Sequence, residues 1–448
     1  MTTRPSLAVW LYGTHLATVA EAPRDGVSLR WTPDAVERWG RGSQVLSAKL
    51  EIGTNPPDVV VKAYLDGLLP EGNARVNAAM SAGIPPDDSY ALVAALGRDT
   101  PGAAIFVPAG SGDPTRAGRY FALTDGEVRD RLQRADQHLP ATPREQHESS
   151  TLPGMVPKIT LSRAAGSWQA CKDGAPSTWI LKRGGLVGAA GGDIIDTEVA
   201  CLALARAVGL TTVEAEVLDF GVTRAIAVSR YDRAPDLRRE HQEDLAQAIG
   251  LSTSDPNRKF QWGSRMPSLR DAATVLQDGG ANRDPLLRLV TFSLLVGNTD
   301  MHAKNISFLR HDDGSIELAP AYDIAMHLHH RPDDRRNALD INGKHLIDEL
   351  TVEDVVEEGR GWGVPAARAR RVVADTVDAV RAALADLDRS MHPNVSEAAW
   401  EVVDSRTAAA VERLPAIAPP PRTRRTAPRP ESPTPARRGP NRPRQLDG

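Results

Sequence analysis

Short apolar runs broken by Gly, Pro and Asp fill the first 110 residues, and the first of them spans Leu7 to Ala20. Gly13, Thr14 and His15 interrupt it. It lacks a clear charged n-region and the ~20 apolar residues of a spanning helix, so it predicts two strands joined by a turn rather than a signal peptide. Helices are predicted around Pro57–Leu69 and Ser89–Leu96, a turn over Arg98–Gly102 and a strand over Ala103–Val107. Residues 110–150 are polar and charged and read as a connector with one helix near Asp125–Gln137.

From Lys158 the alternation becomes that of β-structure. Ile159–Arg163 and Trp168–Cys171 flank Ala-Ala-Gly-Ser, a hairpin signal, and Ser177–Lys182 reads as a third strand. A period of 3.6 predicts a helix from Ile194 to Val208, ended by Gly209 in the left-handed conformation. Strands Glu214–Phe220 and Thr223–Ser229 meet at Gly221. After Arg233 the pattern is helical, with candidates at His241–Gly250, Leu269–Leu276, Asp284–Gly297, Val352–Glu358, Pro365–Leu384 and Glu397–Arg413; only Ile306–Ala319 reads as strands there.

Composition narrows the class. Hydrophobic residues make up 41% of the 448, as in ordinary globular proteins, and the length allows two or three domains. No stretch reaches membrane-spanning length. Cys171 and Cys201 form no CxxC pair, which argues against a disulfide framework or structural zinc and for a reducing cytoplasm. The charge is uneven: Pro415–Gly448 holds eight Arg against one Glu and one Asp, a net +6, leaving −10 on the rest of a chain that totals −4. Ten prolines in that stretch predict a disordered Pro/Arg-rich tail, readable as a basic arm for nucleic acid or as a solvated extension.

The densest chemistry is Gly-Asn-Thr-Asp-Met-His-Ala-Lys-Asn at 297–305, followed by Asp323. Protein-kinase-like phosphotransferases place an Asp that accepts the hydroxyl proton, then an Asn and an Asp that hold metal, in this order. Asp300 is therefore the candidate base, and Asn305 and Asp323 are the candidate Mg2+ ligands. Lys182, inside the apolar strand Trp-Ile-Leu-Lys, needs an anion; ATP phosphates supply one, with Glu198 of the next helix as its orienting partner. Lys304 has two readings, a contact to the transferring phosphate or a solvated loop lysine. Gly154 and Lys158 form a weak phosphate-loop candidate, and no Walker A pattern occurs. Gly184–Gly192 reads as a flexible loop. His327, His329 and His330, with no carboxylate at helical spacing, read as a surface cluster.

These residues together resemble the HipA serine/threonine-kinase toxins of bacterial type II toxin–antitoxin systems, from Leu7 to about Trp400. The resemblance rests on Gly297–Asn305 and Leu318-Ala-Pro-Ala-Tyr-Asp323. Arg239–Asp244, Ser229–Arg233, Leu152–Lys158, Leu68–Gly72 and Asp99–Ala103 support it. It implies ATP and Mg2+ as cofactors, Arg230 and Tyr231 on the segment lining the adenine pocket, and His302 and Lys304 among the ATP contacts. His241–Asp244 would organise the helical lobe. A protein substrate in translation, such as an aminoacyl-tRNA synthetase, and a HipB-like DNA-binding antitoxin are the implied partners, with DNA reached through the antitoxin complex and no membrane. Where the family carries an autophosphorylated serine this chain has Thr151, preceded by Ser150, and Val156 replaces a common Gln.

The expected fold class is α+β, a protein-kinase-like two-lobe fold. It comprises an N-terminal α/β module (1–110), a connector and ATP-binding β-rich lobe (111–235), a helical catalytic lobe (236–414) and the tail (415–448). Two other functions share these features: a non-catalytic kinase-shaped subunit bridging a DNA-bound antitoxin, and a small-molecule kinase of the aminoglycoside type.

Overall fold

Tyr12 and Gly13 both take left-handed backbone angles (φ 49° and 77°), which makes the tight primed turn that joins β1 (Leu7–Leu11) to β2 (Thr14–Ala22). The computed structural model describes residues 4–414 except 24–25, 117, 137–150, 152, 155, 157, 186–191, 263–265, 277–278 and 331–334. The tail, Ser150 and most of the Gly184–Gly192 loop lie outside the described residues.

The hairpin belongs to an antiparallel sheet of order β3-β2-β1-β4, with β3 at Gly26–Trp31 and β4 at Ile105–Pro108. Between β3 and β4 run α1 (Pro33–Trp39), α2 (Asp58–Leu68), α3 (Gly72–Ala82) and α4 (Ser89–Leu96). Sequence periodicity anticipates only α2 and α4. In α3 only Arg75 and Ala79 are buried, so there is no apolar stripe to read; Arg75 instead reaches Asp66 at 3.2 Å.

A second sheet has the order β5-β7-β6-β8-β10-β9. Its strands are β5 (Arg119–Ala122), β6 (Lys158–Ala164), β7 (Ser167–Lys172), β8 (Trp179–Arg183), β9 (Ala215–Asp219) and β10 (Arg224–Ser229). The expected connector thus contributes an edge strand, since β5 pairs with β7. Its helix α5 (Asp125–Asp136) buries Val128 and Leu132 against Leu161 and Leu181 on one sheet face. The opposite face packs Ile226 and Val228 against Ile195 and Leu202 of α6 (Ile194–Ala207). Gly209, at φ 68°, ends α6 as anticipated. The other side of α6, with Ala200, Cys201, Leu204 and Ala205, joins the core of the helical region.

That region corrects two expectations. His241–Gly250 is not one helix: β11 (Gln242–Asp244) comes first, then the single turn α7 (Leu245–Ala248). Pairing of β11 with β12 (Ser307–Arg310) overrides helical periodicity, and Asp244 then caps α7 through a capping box with Gln247. The helices α8 (Leu269–Val275) and α9 (Gly279–Val296) precede β12, and β13 (Ile316–Leu318) completes the three-stranded sheet. The second correction is a further hairpin, β14 (Arg336–Ile341) and β15 (Lys344–Leu346), turned by Asn342 and Gly343 at φ 52° and 73°. Asn-Gly is a strong hairpin signal that was legible in the sequence. Three helices close the described chain, α10 (Val352–Gly361), α11 (Ala366–Asp386) and α12 (Glu397–Arg413), packed around α9. Among the described residues, no helix is long and apolar enough to cross a membrane.

Candidate active site

Alternation along β8 puts Leu181 into the core under α5 and turns Lys182 to the other face. There its ammonium meets Glu198 of α6 at 2.9 Å and also binds Asp323. Burial works against each charge. For Lys182 the two carboxylates outweigh it and raise its pKa. Of the two carboxyls, burial pushes Glu198 up, whereas Lys182 holds Asp323 well below the usual range despite its burial. Asp323 also has φ 54°, a left-handed angle uncommon in non-glycine residues, of the kind that clusters at functional sites.

The loop carrying Asp300 begins where α9 ends. Gly297 is required there: φ is 70°, and a Cβ would come within 2.9 Å of Leu328 Cδ1. The loop then closes on itself. Asn298 Oδ1 accepts from Asp300 N–H (3.1 Å), while the Asp300 carbonyl accepts from His302 N–H and from Asn305 Nδ2, both at 2.8 Å. That last bond fixes the amide orientation, committing the nitrogen and leaving Asn305 Oδ1 as the group able to meet a cation.

Asp300, Asn305, Asp323, Lys182, Glu198, Gly154, Lys158, Arg230, Tyr231, His302 and Lys304 all line one cavity of about 500 Å³. Asp300 also borders a second cavity, of about 410 Å³, with Thr299, Phe260, Trp262 and His330. A wider cavity of about 930 Å³, around Tyr12, Arg38 and Arg238, carries none of this chemistry.

Several candidates have roles other than those expected. Lys304 is neither solvated nor free for a phosphate: it is buried, with its ammonium on Asp244 (2.7 Å) and the Gly67 carbonyl (3.1 Å). The Arg230 guanidinium is bonded to Asp232, to Ser177 and to the Thr100 carbonyl, so its donors are committed to fixing its segment. Burial, reinforced by Lys259, pushes His302 down to about 3. The imidazole is thus neutral, and its Nδ1 accepts from Lys304 N–H (3.2 Å), which leaves the proton on Nε2. Tyr231 and Tyr322 pack their rings 5.4 Å apart, and the Tyr231 hydroxyl binds Gln242. Val156 lines the cavity and is exposed. Thr151 does not line it: its hydroxyl is buried with no hydrogen-bond partner among the described residues, so phosphorylation there requires the loop to move. His329 and His330 are not a surface cluster; both are largely buried and share Asp193, a carboxylate far away in sequence.

Two more residues line the cavity, Glu71 from the Leu68–Gly72 stretch and Lys259, which has no clear signal in the sequence. Lys259 pairs with Glu71 at 2.9 Å, a contact across 188 positions. Both are buried, so the pair supports the cavity wall. The Asp99–Ala103 and Arg239–Asp244 stretches prove to be spatial partners. A Cβ on Gly102 would meet Gln242 N at 2.7 Å and His241 Nδ1 at 2.8 Å, and the glycine stands at φ 80°. His241–Asp244 organises the surroundings of the site: Glu243 pairs with Arg310, and His241 Nε2 binds the Leu46 carbonyl at 2.8 Å.

The HipA-like C-terminal domain matches residues 150–384, over half of the chain, and the HipA N-terminal domain matches residues 7–107. The chain belongs to the HipA family. Among HipA-related proteins, the serine/threonine-protein kinase toxin HipA of Shewanella oneidensis is 26% identical over 319 residues, covering 68% of this chain and 71% of that one. The kinase-named Y4mE of Sinorhizobium fredii is 28% identical over 341 residues, 72% of this chain and 79% of that one. In three dimensions the chain is similar to a Shewanella oneidensis structure of HipA with HipB and operator DNA. The TM-score is 0.73 at 21% identity, over 91% of this chain and 96% of the other, a likeness of fold.

Proposed function

We propose that this HipA-family chain is an ATP- and Mg2+-dependent serine/threonine-protein kinase and the toxin of a type II toxin–antitoxin pair. The observation that carries the reading is the convergence of Asp300, Asn305, Asp323 and the Lys182–Glu198 pair on one cavity. Asn305 Oδ1 and the Asp323 carboxylate are hard oxygen donors, the set that suits Mg2+ with waters and phosphate oxygens completing the shell. When bound, the ion would neutralise charge on the nucleotide phosphates.

Lys182 holds phosphate oxygens, oriented by Glu198. The acceptor hydroxyl approaches Asp300, which lies where the nucleotide cavity meets the second cavity. As the hydroxyl oxygen bonds to the γ-phosphorus, the bond from that phosphorus to the bridging oxygen breaks. The leaving electron pair goes to ADP and the hydroxyl proton to the Asp300 carboxylate.

The acceptor is proposed to be a protein of translation, such as an aminoacyl-tRNA synthetase. A HipB-like DNA-binding antitoxin is the proposed partner, supported by the complex in which the similar Shewanella oneidensis chain is found. Transfer from γ-labelled ATP should fall by about 10²–10⁴-fold in Asp300→Ala. Equal transfer by both proteins would overturn the assignment, and phosphoproteomics after induction of each identifies the target.

A further inference from the structure

The nucleotide cavity leaves unused a pair of consecutive histidines just beyond Asp323. The turn at His327–His330, closed by His330 N–H on the His327 carbonyl at 3.0 Å, brings the two imidazoles onto one side with ring centroids 3.8 Å apart. Both meet Asp193, which lies immediately before α6: His329 Nε2 is 3.0 Å from Oδ2 and His330 Nε2 is 2.9 Å from Oδ1. We propose that Asp193, His329 and His330 bind a divalent transition-metal ion, Zn2+ being the ion of choice.

The donor set is the first argument. Two imidazole nitrogens and one carboxylate oxygen lie within 4.8 Å of one another, a borderline N,N,O set suited to zinc, unlike the all-oxygen pair Asn305 and Asp323. Burial is the second. The three side chains are only 7%, 13% and 15% exposed, so they are held in place before any ion arrives. Asp193 is further fixed by Ser396 N–H, 3.3 Å from its Oδ2, the kind of support that orients a ligating carboxylate. Access is the third. His330 borders the 410 Å³ cavity that also reaches Asp300, giving the ion an entry path and room for water at an open position.

The site joins the two sides of the nucleotide cavity. Asp193 leads into the helix that carries Glu198, and His329 follows Asp323 by six positions. A bound ion therefore fastens α6 to the segment after Asp323. Its effect on phosphate transfer rests on the kinase reading; metal binding does not.

The test uses the full-length, untagged, chelator-stripped protein. Zn2+ titrated against a chromophoric chelator should show a single equivalent bound. That binding should weaken more than about 10-fold in His329→Ala/His330→Ala and in the isosteric Asp193→Asn. Co2+ added to the unaltered protein should give the visible bands of four- or five-coordinate cobalt, displaced by Zn2+, a readout that needs no variant to fold. Asp300→Asn should bind Zn2+ as the unaltered protein does, so this site and the kinase reading fail separately. Zn2+ affinity no greater than that of the double variant, together with a Co2+ spectrum like that of the aqueous ion, would leave only a hydrogen-bonded triad and overturn the proposal.

Discussion

Lys158 and Lys182 lie directly opposite one another on adjacent antiparallel strands, two ammonium groups in register on one face of the sheet. Like charges so placed are unfavourable unless an anion offsets them. Lys182 has Glu198 and Asp323, whereas the Lys158 ammonium donates to the Pro153 carbonyl at 2.5 Å. Burial first, and Lys182 second, push Lys158 down to about 8.

Nucleotide binding should accordingly depend on pH. Below about 8 Lys158 carries its charge and attracts phosphate; as pH rises through that value the charge is lost and affinity for ATP falls. Lys158→Met should flatten this profile and weaken binding at pH 7 by about 10-fold, equivalent to about 1.4 kcal/mol. The sign reverses for the nucleotide-free protein. A depressed lysine pKa means that the charged form costs stability below about 8, so the same variant should be more stable at pH 7, by about 1 kcal/mol once partial exposure is discounted. Calorimetric titration and thermal melts read the two effects.

Asp99 lies buried among Arg233 (3.0 Å), Arg239 (3.4 Å) and Arg230 (3.5 Å). Asp99→Asn leaves those charges undercompensated and should cost about 3–5 kcal/mol in urea unfolding. Burial opposes the Asp99 charge, but the three arginines hold its pKa below the ordinary carboxylate value. Its contribution is therefore complete above about pH 4 and is lost as pH falls through the lower native pKa. The gap between the two proteins should close in strong acid.

His241 accepts from Ala103 N–H at Nδ1 (3.3 Å), a bond that requires the neutral ring, and donates from Nε2 to the Leu46 carbonyl. Burial pushes it down to about 4. The unfolded ring takes up its proton near 6.5, so stability should decline as pH falls from about 6.5 to about 4. His241→Ala should remove that slope and cost about 1–3 kcal/mol at pH 7, since Leu46 O is left buried without its donor.

Asp323→Asn keeps a side chain of the same shape while withdrawing the anionic oxygen. Phosphate transfer should drop by about 100-fold or more and lose its response to added Mg2+. ATP should still bind within about 10-fold, because Lys182 keeps Glu198. Asn305→Ala should behave alike. Stopped-time transfer assays across Mg2+ concentrations, beside equilibrium ATP binding, separate the two quantities, and unaltered Mg2+ dependence in both variants would remove them as ligands.

Local order along the chain determined much of this protein. The primed turn at Gly13, the hairpin at Gly166, the termination of α6 at Gly209 and of α9 at Gly297 all follow from short-range backbone preferences. The order Asp300, Asn305, Asp323 was likewise visible, because the two loops that carry it are short segments with distinctive residues. Tertiary structure alone decided what the charged groups touch. Lys304 meets Asp244 across 60 positions, His329 meets Asp193 across 136, and Asp99 meets Arg230 across 131. It also turned Gln242–Asp244 into a strand, by offering β12 as a partner. The reason is physical: propensity and periodicity act over a few residues, whereas a buried charge takes whatever counter-charge the folded chain brings within about 4 Å.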